Sequence, residues 1–262
     1  MNGIAEPAAS PRRALILKRC ALGFGLLAVW WLASLATPVY VLPGPERVFE
    51  RVVQLTRTGD LPMNLVTTLG RVAAGFLLAV VVGVPAGILL GSNRAIGTFF
   101  EPVLPVLNTV SSAIWAIFAI IWFGLSPLTP IFVVLMTALP LIVTNVWQGT
   151  QAVQADFVEL AAALRFSRMK TLTKIYLPSI MPYFFSGARL AFGFGWRVSL
   201  VAETLGASSG VGYRLRQASD LIQTDQVFAW TIVQIAMMLV IEAGLIAPLE
   251  RHLFRWRRDV RA

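Results

Sequence analysis

Histidine and cysteine are almost missing from this 262-residue chain, which carries only His252 and Cys20. That excludes a disulfide framework, a Cys/His zinc site, and any Ser/His/Asp or Cys/His nucleophilic set. We therefore expect no catalytic residue and no metal site. Charge is scarce as well: 13% of residues are charged against 57% hydrophobic, too few for a soluble domain of this length. A Gly-x-x-x-x-Gly-Lys-Ser/Thr loop does not occur, so the chain has no means of cradling a nucleotide phosphate, and no cofactor is expected in it. Gly193-Phe-Gly195 and Gly210-Val-Gly212 are too short for a dinucleotide fingerprint and read as helix-packing positions.

What the chain does have is long apolar runs. A hydrocarbon core of about 30 Å takes roughly 20 helical residues to cross. Runs of that length predict six transmembrane helices at about 21–42, 64–90, 102–124, 128–149, 178–204 and 227–249, an all-α integral membrane protein with a single transmembrane domain over 21–250. Polar tails at 1–20 and 251–262 flank it. The first run is longer than a secretory h-region and carries Trp30 and Trp31, which suits a retained anchor. Pro45 to Leu55 alternates charge and apolarity at helical spacing and predicts a short helix, equally acceptable as interfacial or as a solvated loop helix.

The 22 Lys and Arg exceed the 13 Asp and Glu. They flank the apolar runs rather than forming one basic face, which argues against nucleic acid. With both termini cytoplasmic, fourteen bases share that side: four in the first tail, Arg94, the group Arg165, Arg168, Lys170 and Lys174, and five after residue 250. Arg47, Arg51, Arg57, Arg214 and Arg216 fall opposite. The asymmetry predicts cytoplasmic termini in a bacterial cytoplasmic membrane.

The longest connection on that side, 150–177, contains Glu159-Leu160-Ala161-Ala162-Ala163-Leu164-Arg165-Phe-Ser167, a strong helix former, and ends in Leu177-Pro178. This resembles the EAA loop of the permease subunits of binding-protein-dependent ABC importers, in which a Glu-x-Ala helix precedes Leu-Pro by about eighteen residues. The likeness extends to the nitrate, sulfonate and taurine group through Leu42-Pro-Gly-Pro45, Thr68-Leu-Gly-Arg71, Trp122-Phe123-Gly124 and Val201-Ala-Glu203-Thr-Leu-Gly-Ala-Ser-Ser-Gly210-Val-Gly212-Tyr. It implies a type I importer permease fold with a cytoplasmic coupling helix at Glu159 to Leu164, continued by Arg165 and Ser167. It also implies a separate ABC ATPase holding ATP and magnesium, a periplasmic solute-binding protein and a second permease copy. The implied cargo is a small oxyanion such as nitrate, a sulfonate or taurine; a pyrimidine-like vitamin precursor is the alternative, and a stand-alone secondary transporter a more distant one. Arg165 stands where the family has a glycine, and an arginine takes a positive φ less freely.

Charges inside apolar spans are costly and need a partner or a wet cavity. Arg71, Arg189, Glu203 and Glu242 are read as structural: Arg71 packing near headgroups, Arg189 with Glu242 at a similar depth, and Glu203 bonding the loop that follows it. Arg197 and Glu203 are six positions apart and do not share a helix face. Arg197 is then a pathway candidate, together with the hydroxyl and amide cluster Asn108, Thr109, Ser111 and Ser112, whose groups could equally bond their own backbone.

Overall fold

The computed structural model describes residues 11–153, 163–248 and 250, and these are helical without a strand. In chain order the helices are α1 (Pro11–Ala36), α2 (Pro45–Arg57), α3 (Asp60–Ser92), α4 (Arg94–Phe100), α5 (Val103–Thr109), α6 (Ser112–Phe123) and α7 (Leu128–Gln151). Further along come α8 (Arg168–Thr171) with a π-helical turn Leu172–Tyr176, then α9 (Leu177–Gly206), α10 (Val211–Asp220) and α11 (Thr224–Ile241), the last extended by a second π-helical turn Glu242–Ile246. Three helical segments are long and apolar enough to cross a membrane: Asp60–Ser92, Leu128–Gln151 and Thr224–Gly244. The bent pair Arg94–Thr109 and Ser112–Phe123 makes a fourth if counted as one span.

Small residues set how α3, α7 and α9 pack. On α3, Gly75, Gly83, Gly87 and Gly91 repeat at multiples of four, and a Cβ added at each would collide in turn with Val134, Ile142, Val146 and Thr150 of α7. The offset between partners is constant, so α3 and α7 run parallel at close approach, the geometry that small-residue seams permit. On α9, Gly187, Gly195 and Gly206 abut Asn145, Val134 and Thr129, numbers that fall as the glycines rise. The two helices are therefore antiparallel, and α7 is clamped between α3 and α9. Gly195 and Gly212 thus serve packing, the latter tight against Leu200 O and the Glu203 side chain.

Parallel α3 and α7 require the chain to return between them, and α4 to α6 do this with a bend of 92°. The single helix expected over 102–124 is thus corrected: helix begins at Arg94 and is interrupted at Val110 and Ser111, both with extended backbone. Pro102 and Pro105 fall at the cap and first turn of α5, where a missing amide donor is tolerated, and the Ser111 hydroxyl accepts from Ala113 N at 3.4 Å to start α6 afresh. The helix of the first run also stops early, at Ala36, ahead of a turn at Pro38. The short helix predicted after it is α2, whose Val48 and Leu55 join Leu61, Val211 and Trp230 in a core at the Asp60 end of the bundle.

Candidate functional site

Four arrangements carry the chain's polar chemistry. The first is at the Asp60 end. Asn64, Thr68 and Arg71 lie on one face of α3 at spacings of four and three, and all reach the loop between α9 and α10. Asn64 Oδ1 accepts from Gly210 N at 2.9 Å, and Thr68 Oγ1 accepts from Val211 N at 2.9 Å. Arg71 donates to Ser209 O and Ser209 Oγ, each at 2.7 Å, and to Glu203 Oε1 at 2.8 Å. Glu203 also accepts from Thr68 Oγ1 at 2.8 Å and Gly212 N at 3.0 Å. Side-chain exposure is 6% for Arg71 and 0% for Glu203, so this ion pair is sealed inside the protein. Arg71 does not reach headgroups, as its sequence position suggested; a nearby carboxylate and a carbonyl hold its guanidinium inside. The sequence suggested that Glu203 bonds the loop after it; its backbone partner is instead Gly212 N, in the first turn of α10 beyond that loop. Gly210, at φ +100, has no room for a side chain against that carboxylate.

The second arrangement is half-exposed. Arg189 on α9 donates to Glu242 Oε1 at 2.6 Å and to Glu250 Oε2 at 3.2 Å, with 46% of its own side chain exposed. Counting residues placed Arg189 and Glu242 at one depth, and they meet there. Glu250 could not be foreseen, because it approaches from beyond the π-helical turn. Two turns further along α9, Arg197 is exposed, with its guanidinium 5.7 Å from the Phe194 ring centre and no carboxylate partner among the described residues. It lines a cavity of about 180 Å³ with Arg189, Phe194 and Glu242. Arg197 and Glu203 accordingly go to different places.

The third is the bend. Thr109 Oγ1 donates to Pro105 O at 2.8 Å and Ser111 caps α6, so these two hydroxyls serve backbone. Ser112 is the first residue of α6 and has no side-chain hydrogen bond among the described residues. Asn108 differs from its neighbours by facing a cavity of about 570 Å³ between α4, α5 and α7. The structure separates what the sequence grouped.

The fourth is the connection over 150–177. Glu159, Leu160, Ala161 and Ala162 lie outside the described residues. Ala163 and Leu164 are exposed, and Arg165 follows them at φ +51. The left-handed turn that a glycine would take freely is thus made by an arginine. Ser167 then starts the next helix, its hydroxyl accepting from Lys170 N at 3.3 Å.

Comparison with known proteins decides what these parts belong to. Residues 83–247 match the family described as binding-protein-dependent transport system inner membrane component. The chain belongs to that family. This permease is 33% identical to a putative aliphatic sulfonates transport permease of Bacillus subtilis (strain 168) over 84% of its length and 79% of the relative's. It is 27% identical to the taurine transport system permease of Escherichia coli (strain K12), over 90% and 88% of the two chains. Against the bicarbonate transport system permease of Synechococcus elongatus it is 30% identical, over 76% and 77%. Its fold is similar to that of a chain of the inward-facing MetNI methionine ABC transporter, with a TM-score of 0.54 and 17% identity over 70% of this chain and 95% of that one. The permease therefore has the type I importer fold and acts in transport as a membrane component.

Proposed function

We propose that the permease forms half of a translocation pathway for a small solute bearing an oxyanion, the sulfonate class first, in a dimer of two copies. ATP and magnesium are handled by a separate ATPase docked on Glu159 to Leu164, and a periplasmic binding protein delivers the solute. The Ser92 end of the bundle is cytoplasmic, in keeping with the basic groups at Arg94 and 165–174, and the Asp60 end with α2 and α10 faces outward.

The observation that carries the substrate class is Arg197. A charged group exposed in the outer third of a span needs water or a partner, and Arg197 has no carboxylate to neutralise it among the described residues. A guanidinium beside an aromatic face offers planar, bidentate donors to a sulfonate or carboxylate-like group in transit. Relatives handling sulfonates, taurine and bicarbonate carry solutes of that kind.

The test is uptake of ethanesulfonate into vesicles holding the permease with its ATPase and binding protein. Arg197→Gln is expected to lower uptake at least tenfold while assembly and basal ATPase activity persist, and Arg197→Lys to retain part of it. Normal uptake by the Gln variant would remove Arg197 from the pathway. Uptake of a pyrimidine without any sulfonate would overturn the substrate class.

A further inference from the structure

Two polar clefts open at opposite ends of the bundle, and they differ in how their charges are satisfied. The cleft between α2 and α10, about 330 Å³, is internally neutralised: Arg51 pairs with Asp225 at 2.7 Å and Arg214 with Asp60 at 2.6 Å. The larger cleft at the Ser92 end is not. One wall is a single face of α4, with Arg94, Gly97, Thr98 and Glu101 at spacings of three and four; the other is a single face of α7, with Thr144, Trp147, Gln148 and Gln151. None of the polar side chains on these two faces makes a hydrogen bond or ion pair among the described residues, and the Trp147 indole N–H is buried with no acceptor. Threonines elsewhere, such as Thr137 and Thr150, bond the carbonyl four residues back; Thr98 and Thr144 do not.

The charge pattern specifies a ligand. Arg94 and Glu101 are seven residues apart, so they lie on one side of the helix about 10 Å apart along its axis, too far for the usual one-turn ion pair. Gly97 is buried between them, where a Cβ would strike Leu90 O and press on the Trp147 ring, so the floor separating the charges has no room for a side chain. A plain anion would be attracted at Arg94 and repelled at Glu101. A small molecule with an oxyanion at one end and an ammonium at the other satisfies both, with the amides of Gln148 and Gln151 and the Thr98 hydroxyl bonding either head.

We propose that this cleft binds an oxyanion–ammonium zwitterion, held by Arg94 at the oxyanion and Glu101 at the ammonium. Two sources share that chemistry: a free aminosulfonate, and an ethanolamine phospholipid headgroup, whose acyl chains would meet the exposed Phe99, Phe100 and Val106 beside the cleft. Its cytoplasmic location rests on the orientation proposed above; the binding itself does not.

The experiment uses the permease–ATPase complex in nanodiscs of phosphatidylglycerol, open on both sides, titrated calorimetrically with 2-aminoethanesulfonate and with ethanesulfonate. In parallel, native mass spectrometry follows lipid retention from mixed phosphatidylethanolamine and phosphatidylglycerol membranes. Saturable binding of 2-aminoethanesulfonate in preference to ethanesulfonate supports the site with a free solute, and selective retention of phosphatidylethanolamine supports it with a headgroup. In either case Arg94→Gln and Glu101→Gln are each expected to weaken binding at least tenfold, and Arg57→Gln, on α2 at the opposite end of the bundle, to leave it unchanged; uptake by Arg197→Gln tests the pathway reading separately. Absence of both signals overturns the proposal, as does binding that survives in both variants or is lost in Arg57→Gln.

Discussion

Arg71–Glu203 and Arg189–Glu242 are both arginine–glutamate pairs joining α9 to another helix, yet they sit in opposite environments. The first is sealed, and every strong donor around its carboxylate is used: one guanidinium, one hydroxyl and one amide converge on Glu203. The second is about half open, and its carboxylates accept from a single arginine. Burial makes a pair structurally indispensable without making it a source of net stability, because desolvation offsets the attraction. An open pair in a span is informative for another reason: whatever covers it must be wet or polar. The difference separates the two regions: the Asp60 end is held by a sealed network, whereas the middle of α9 carries charges that stay about half open.

The largest effect that tests this comparison is at Glu203. Glu203→Ala leaves Arg71 buried and unpaired, and is expected to destabilise the permease by about 3–5 kcal/mol. Thermal unfolding of the purified chain in detergent measures it. A loss below about 1 kcal/mol would mean that the network is not sealed.

A smaller loss belongs to Arg189→Gln. An open pair contributes about 0–1 kcal/mol, so the melting temperature is expected to change little. A destabilisation as large as that of Glu203→Ala would place Arg189 in a dry environment and erase the contrast between the two pairs.

The smallest effect is a gain, and it sharpens the comparison by removing a strain that neither pair relieves. Arg165→Gly frees a left-handed turn from its side-chain penalty and is expected to stabilise the isolated permease by at most about 1 kcal/mol, the larger unfolded-state entropy of glycine offsetting part of it. Hydrogen exchange of the amides at 163–167 reads the change. Faster exchange in the variant would show that the arginine stabilises the turn.

Several of these features were legible in the residues because they depend on local quantities. Apolar run length located α3, α7 and the helix at 177–206, since the bilayer sets that length. Residue counting brought Arg189 to Glu242 because helical rise is uniform. Arg165 was not legible in this way: arginine in place of the family's glycine put the turn in doubt, and the left-handed turn is nevertheless there. The break at Val110 was not legible: Pro102 and Pro105 are compatible with the first turn of a helix, and nothing nearby in sequence required a second start at Ser111. Nor was Glu250, which reaches Arg189 only because a π-helical turn shifts the register of the helix that carries it.

By itself, then, the sequence determined which segments are apolar, where the bases lie and which family the motifs resemble, because hydrophobicity, charge count and motif spacing are properties of neighbours along the chain. Only the tertiary structure decided that Arg71 pairs with Glu203 and that Glu250 joins Arg189. Arg71 and Glu203 are 132 residues apart, and Arg94 and Glu101 share one helix face. The distant two meet because the small-residue seams of α3 and α9 clamp α7 between them, while the near two stay apart because two helical turns exceed the reach of an ion pair.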